Sequence, residues 1–305
     1  VVGSPQWVEA LCTSRVIVTN DHLPSWFSKR EGQHLLQTWH GTPIKKLLHD
    51  APRTVTLRYR RLMARQVPQW DLLLAQTPQA GRRLQRALGY HGQVRVGEYP
   101  RNVRLLGGSE VRRRVRHELG IGQEQPVILY APTWRESLRP DKRAVDCGTA
   151  GGPGPAGALD GEHLADRLGV VVLMRSHHMN RAGRVPGAID VSGYPSVEEL
   201  MVAADILVSD YSSIFFDFAL TGKPAVAYVP DLTFYRDVER GLYGRWPLES
   251  GLPVAVDHDG LTSHLHRVLG GIDAAGGRCA PPEVDPAPIL DNLTWIRGWI
   301  TRFLS

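Results

Sequence analysis

Apolar residues in this chain come in short blocks, separated by polar stretches with helical spacing. Ten blocks read as strands, at 15–19, 34–38, 71–75, 94–97, 126–131, 170–174, 188–191, 205–209, 224–229 and 253–256. They are rich in Val, Ile and Leu and mostly lack alternation, the pattern of strands buried on both faces of a parallel sheet. Helical spacing marks 54–66, 79–88, 110–119, 161–168, 196–203, 213–220 and 261–269. Strand and helix alternate, which predicts an α/β fold, and no internal repeat interrupts the series. In the last twenty residues Trp295, Ile296, Trp299, Ile300 and Phe303 recur at helical spacing. A helix packed on a core is the favoured reading, and a helix lying on a membrane surface is the alternative.

Length refines this picture. With 305 residues and 42% hydrophobic content, the chain can bury two cores. The expected domains are 1–122 and 123–285, followed by a helix at 286–305 that can pack back on the first. The stretch 146–161, rich in Gly, Ala and Pro, reads as a surface loop. No 18-residue apolar run predicts a transmembrane helix. The start, Val1-Val2-Gly3-Ser4-Pro5, has no charged or apolar leader and no initiator Met, which suits an excised segment of a longer protein. Cys12, Cys147 and Cys279 have neither metal nor disulfide spacing, so a reducing compartment is expected.

The net charge is +5, mostly from arginine, with runs at Arg58-Tyr59-Arg60-Arg61 and Arg112-Arg113-Arg114-Val115-Arg116. Arginine forks suit phosphate, so an anionic substrate, polymer or membrane surface is one reading. Solvated helix faces are the other. No nucleic-acid-binding module accompanies the charge, so no nucleic-acid partner is expected.

Open α/β sheets place ligands where strands end, and five strand ends carry polar groups. Trp39-His40-Gly41-Thr42-Pro43 follows the second strand. Its histidine is placed as a general base, although strand-end histidines are also structural. A basic helix carrying Lys45 and Lys46 is expected next. Gly97 to Asn102 presents Arg101 and Asn102. Tyr130-Ala131-Pro132-Thr133-Trp134-Arg135 offers a hydroxyl and a guanidinium suited to a diphosphate. Each of these two segments also reads as an ordinary turn. Arg175 and His177 stand at alternate positions and can both donate to phosphate; a metal role for His177 and His178 is not expected. The strongest is Ser209-Asp210-Tyr211-Ser212-Ser213, which feeds two serines into a helix start, where free amides form an anion site. Capping is the plainer role for these serines. Asp217 lies one turn on. No Walker loop, complete dinucleotide fingerprint or metal-clamping acidic pair is present, so neither cofactor nor metal is expected.

In this order the five segments, with Phe216-Asp217-Phe218, Lys223-Pro224, Tyr235-Arg236 and Gly241-Leu242-Tyr243, resemble the CDP-glycerol glycerophosphotransferases, the teichoic-acid polymerase family that includes ribitol-phosphate and capsule polymerases. The resemblance covers about residues 30 to 270. It implies a GT-B-like architecture, two Rossmann-like domains with parallel sheets facing across a cleft. It implies transfer of a polyol phosphate, glycerol phosphate first, from a CDP-activated donor to an acceptor hydroxyl, with release of CMP. On this match His40 is the base, with His177 also catalytic. Gly41, Thr42, Lys45, Arg101, Asn102, Thr133, Arg135, Arg175, Asp210, Tyr211, Ser212, Ser213 and Asp217 contact substrate. The implied acceptor is a glycolipid or polyol-phosphate polymer, and the implied location is cytoplasmic, peripheral at the inner membrane face. The rival readings are a GT-B glycosyltransferase or nucleotide-sugar epimerase, and a non-catalytic module that binds anionic polymer.

Overall fold

The computed structural model describes residues 2–51, 55–133, 135, 159–176, 185–274 and 284–304. The chain forms two units. One comprises Val1–Arg101 and Pro286–Ser305; the other is Asn102–Asp285. The division falls at Arg101, well before residue 122, because the helix Gly108–Glu118 packs against the helix Val197–Ala203 of the second unit.

In the first unit β1 (Val16–Thr19), β2 (His34–Gln37), β3 (Leu72–Ala75) and β4 (Gln93–Val96) form a parallel sheet in that order. The central strands β2 and β3 are covered on both faces, which accounts for their absence of alternation, while the edge strands β1 and β4 are partly exposed. Leu35, Leu73 and Ala75 point into a core with Met63, Trp70, Leu84 and Leu88. Leu36, Leu72 and Leu74 point the other way, onto Tyr99, Ile296 and Trp299. The last two belong to the last helix, Ala287–Thr301, so its apolar stripe is core. Among the described residues three α-helices precede it in the unit: α1 (Pro5–Thr13), α2 (Leu57–Gln66) and α3 (Pro78–Leu88). Apolar periodicity does not reveal α1, yet Ser4 caps it and Pro5 starts it. The basic helix expected after Pro43 does not form. Ile44 and Leu48 are both buried, Arg83 of α3 donates to the Pro43 carbonyl (3.0 Å), and only the 3₁₀ turn Leu48–Asp50 follows.

The second unit has β5 (Val127–Ala131), β6 (Val171–Met174), β7 (Ala188–Asp190), β8 (Ile206–Ser209), β9 (Ala225–Tyr228) and β10 (Val254–Ala255). All pair parallel, in the spatial order β7-β6-β5-β8-β9-β10. That is the doubly wound order, third-second-first-fourth-fifth-sixth, whose direction reverses between β5 and β8. Its helices are α4 (Gly108–Glu118), α5 (Gly161–Leu168), α6 (Val197–Ala203), α7 (Ile214–Ala219), the single turn α8 (Leu232–Phe234) and α9 (His258–Ala274). Most of the glycine-rich stretch 146–161 lies outside the described residues.

The second arginine run does not serve one solvated face. Arg116 is fully buried; it pairs with Asp205 (2.7 Å) and donates to the carbonyls of Ala203, Gly122, Gln123 and Gln125. Arg112 adds a second contact to Asp205 (2.6 Å). Lys223 Nζ donates to the carbonyls of Met201, Val202 and Ala204. Together these cations satisfy the last carbonyls of α6 and fix the start of β8.

Candidate active site

In the first unit the chain leaves β2 through a strained turn. Gln37 is fully buried and its side-chain carbonyl accepts from the Trp39 amide (2.8 Å). Trp39 is thereby held at φ 58°, left-handed backbone that a bulky residue rarely adopts. Its buried indole packs near Trp70 and stacks under the His40 ring, with centroids 4.6 Å apart and planes 21° apart.

One hydrogen bond decides the state of the His40 ring. Nδ1 lies 2.9 Å from the carbonyl of Asn20. A carbonyl only accepts, so Nδ1 carries the proton and Nε2 of the neutral ring keeps its lone pair. The residue reaches solvent, but protein crowds the ring enough that desolvation is the leading influence and pushes its pKa below 6.5. Lys45 and Arg101 press the same way, while the Asn20 contact and Asp21 oppose them. Near neutral pH the ring is therefore an uncharged proton acceptor.

A pocket of about 360 Å³ opens beside it, lined by Asn20, Thr38, Trp39, Tyr99 and Arg101 among others. The Arg101 guanidinium lies over the Tyr99 ring, 4.5 Å from its centroid, so a cation faces the pocket from a buried aromatic base. Thr42 is buried and donates to Gln76 (2.7 Å), whose amide donates to Glu98 (2.9 Å). That chain fixes the turn after Gly41. The structure thus gathers His40, Gly41, Thr42, Lys45 and Arg101 in this unit.

In the second unit the polar groups gather where β5 and β8 end, at the reversal of strand order. Asp210 accepts from the amides of Thr133 (2.8 Å) and Tyr211 (2.5 Å), joining the two strand ends. Arg135 pairs with Asp210 (2.9 Å) and Asp231 (2.8 Å) and donates to the Thr133 carbonyl (2.7 Å). It also lies over the stacked rings of Tyr211 and Tyr235. Burial alone would lower its pKa, but the two carboxylates raise it, so the cation is permanent. Tyr211 OH donates to Asp231 (3.0 Å), and burial raises its own pKa. Arg135, Asp210 and Tyr211 thus form one buried framework around the Thr133 loop.

Ser212 accepts from the Ile214 amide (3.3 Å) and so caps α7, leaving that task off Ser213 at the N-cap position. Asp217 is buried and accepts from Asn102 (3.1 Å), which is fully buried as well. Arg175, at the end of β6, donates to the carbonyls of Val191 (3.1 Å) and Tyr194 (2.7 Å). Burial lowers its pKa against the pull of Glu198. Trp134, His177 and His178 lie outside the described residues. Among the described residues no group of His, Cys, Asp or Glu is placed to hold a metal.

Sequence reasoning overlooked Asn20 and Asp231 and gave Gln37, which opens the stretch before His40, no role of its own. Asp231 follows the end of β9, so the strand-end rule that found the others would have found it. Asn20 acts through its carbonyl, which side-chain chemistry does not reveal.

Known proteins resemble the chain in sequence and in fold. The family model for CDP-glycerol:poly(glycerophosphate) glycerophosphotransferase matches residues 1–272. A teichoic acid poly(glycerol phosphate) polymerase of Bacillus spizizenii is 33% identical over 79% of this chain and 62% of its own length. Its namesake in Bacillus subtilis is 33% identical over 82% of this chain and 34% of its own length. The chain therefore spans less than two thirds of these curated relatives. A solved structure of the wall teichoic acid polymerase TagF, a variant soaked with CDPG, superposes with a TM-score of 0.76 at 27% identity, over 99% of this chain and 77% of that one. The fold is GT-B-like, and the chain belongs to the CDP-glycerol:poly(glycerophosphate) glycerophosphotransferase family.

Proposed function

We propose that the protein transfers glycerol phosphate from CDP-glycerol to a hydroxyl of a polyol-phosphate chain and releases CMP, in synthesis of a teichoic-acid-like wall polymer. The observation that carries this reading is the His40 ring, whose Nδ1–H is held by the Asn20 carbonyl and whose Nε2 is left to accept a proton. In the proposed reaction Nε2 takes the proton of the acceptor hydroxyl. The freed oxygen attacks the phosphorus that bears glycerol, the bond to the CMP oxygen breaks, and CMP departs. Desolvation, helped by Lys45 and Arg101, keeps His40 neutral, and the two cations attract the anionic substrate.

Donor recognition is assigned to the second unit, at the strand ends that doubly wound sheets use for ligands. Thr133, Ser212 and Ser213 supply donors toward the diphosphate, and Arg175 and His177 meet charge on the leaving phosphate. Asn102 and Asp217, buried and bonded to each other, are assigned to positioning α7 and not to substrate contact. Arg135, Asp210 and Tyr211 position the Thr133 loop, because their polar groups already hold one another. Family membership supports a glycolipid or polymer acceptor and peripheral work at the inner membrane face. No described helix is long and apolar enough to cross a membrane.

Incubation with CDP-glycerol, CDP-ribitol and nucleotide sugars, with a polyol-phosphate acceptor present, tests the reading. CMP and a new phosphodiester from CDP-glycerol are expected. Release of a nucleoside diphosphate from a nucleotide sugar would overturn it.

A further inference from the structure

The first arginine run is not used by this chemistry. Helix α2 spans ten residues, four of them arginine and none acidic. Met63 and Gln66 turn inward and are buried. Arg58, Arg61 and Arg65 recur at spacings of three and four, so they share the opposite face and are exposed. They line a second pocket of about 460 Å³, with His22, Thr56 and Tyr59 on its walls. The pocket is a built one. The Gln66 side chain clamps the facing loop by accepting from the Leu23 amide (2.9 Å) and donating to the Leu23 carbonyl (2.6 Å). His22 packs edge-on against Tyr59, and the Asp21 carboxylate is taken by His22 Nδ1 (2.8 Å). Among the described residues none of the three guanidiniums has an acidic partner, and residues 52–54, which precede the helix, contain no acid.

We infer that this pocket is a phosphate-binding track for the polyol-phosphate chain, separate from the site of transfer. The inference rests on the acceptor named above. Three guanidiniums rising along one helix face span about 10 Å at the helical rise of ~1.5 Å per residue. That length exceeds a single phosphate and suits consecutive phosphodiesters of an extended chain. Guanidinium forks match phosphate oxygens, and a cluster without internal acids keeps its charge for a ligand. A polymerase gains from such a track because a second contact on the same chain raises its effective concentration at the transfer site.

The test uses the whole 305-residue chain and a fluorescently labelled glycerol-phosphate hexamer, followed by anisotropy without CDP-glycerol. Each single change, Arg58→Gln, Arg61→Gln or Arg65→Gln, should weaken binding about three- to ten-fold, and the triple variant at least about thirty-fold, with a shallower dependence on salt. A triple Arg→Lys variant, which keeps the charge, should regain part of the affinity and shows that loss in the Gln variant is not misfolding. CMP release with a single-unit acceptor should persist in the triple Gln variant, while release with the hexamer falls at subsaturating concentration. Equal hexamer affinity in wild-type and triple Gln proteins would overturn the inference. So would loss of binding to phosphatidylglycerol vesicles alone, which would make the face a membrane contact. Absence of CMP release from the wild type would instead defeat the proposed reaction, and arginine-dependent hexamer binding would still uphold the track.

Discussion

His40 shows how much one carbonyl can decide. By accepting from Nδ1, Asn20 leaves the other ring nitrogen basic, and desolvation with two nearby cations keeps the ring uncharged. Replacing His40 with alanine should reduce CMP release by ~10²–10⁴-fold, the usual share of a positioned base. CDP-glycerol affinity, measured by calorimetry, should change little. The pH profile follows from the sign of the shift. A lowered pKa means that the base form survives as pH falls past 6.5, so the acid limb of kcat/KM should lie below the ordinary histidine value. That limb should vanish in the alanine variant. Beneath the ring, Trp39 sets strain against burial. A Trp39→Gly change would relieve a left-handed backbone worth ~1–2 kcal/mol. It would also delete a buried indole worth ~3–5 kcal/mol. Burial wins, so urea denaturation should show a net loss of about 1–4 kcal/mol.

At the scale of elements, the buried framework at the ends of β5 and β8 rests on one cation between two carboxylates. Arg135→Met leaves Asp210 and Asp231 without it inside the protein, and should cost ~3–5 kcal/mol in the same assay. Loss of donor affinity should accompany it, because the Thr133 loop loses its anchor. The strands themselves were legible: all ten apolar blocks hold a strand, with ends moved by a residue, most plainly the central ones, which are covered on both faces and need unbroken Val, Ile and Leu. Most helices were legible for the same reason, since each buries one face. Other features were hidden by their physics. α1 carries its signal in a cap and a proline, not in periodicity. The segment after Pro43 reads as helical by charge and spacing, but a long-range bond from Arg83 and the burial of Ile44 and Leu48 settle it otherwise. The partners of Arg135 lie 75 and 96 residues away in sequence, beyond any local pattern. Strand ends pointed correctly to the polar residues, but which of them hold each other rather than a ligand depends on contacts that only folding brings about.

For the whole molecule, the two segments of the first unit meet through the last helix. Asn292 donates to the Glu98 carbonyl (2.7 Å) and accepts from Arg95 (3.1 Å), while Ile296 and Trp299 cover Leu36, Leu72 and Leu74. A β-carbon on Gly97 would fall 2.5 Å from the Asn292 side chain, so that approach requires glycine. Trp299→Ala should cost the first unit ~3–5 kcal/mol. The loss should appear as earlier exchange of the amides of β2 and β3, with those of β5 and β8 unmoved.

The same splicing sets a timetable for biosynthesis. Arg95 and Asn292 are 197 residues apart. At about 5–20 residues per second, the leucine face of the first sheet leaves the ribosome ~10–40 s before the helix that shields it. The second unit is contiguous and can finish in the meantime. The earlier segment thus completes its core after the later unit, and in that interval its naked leucines are the surface a chaperone would hold.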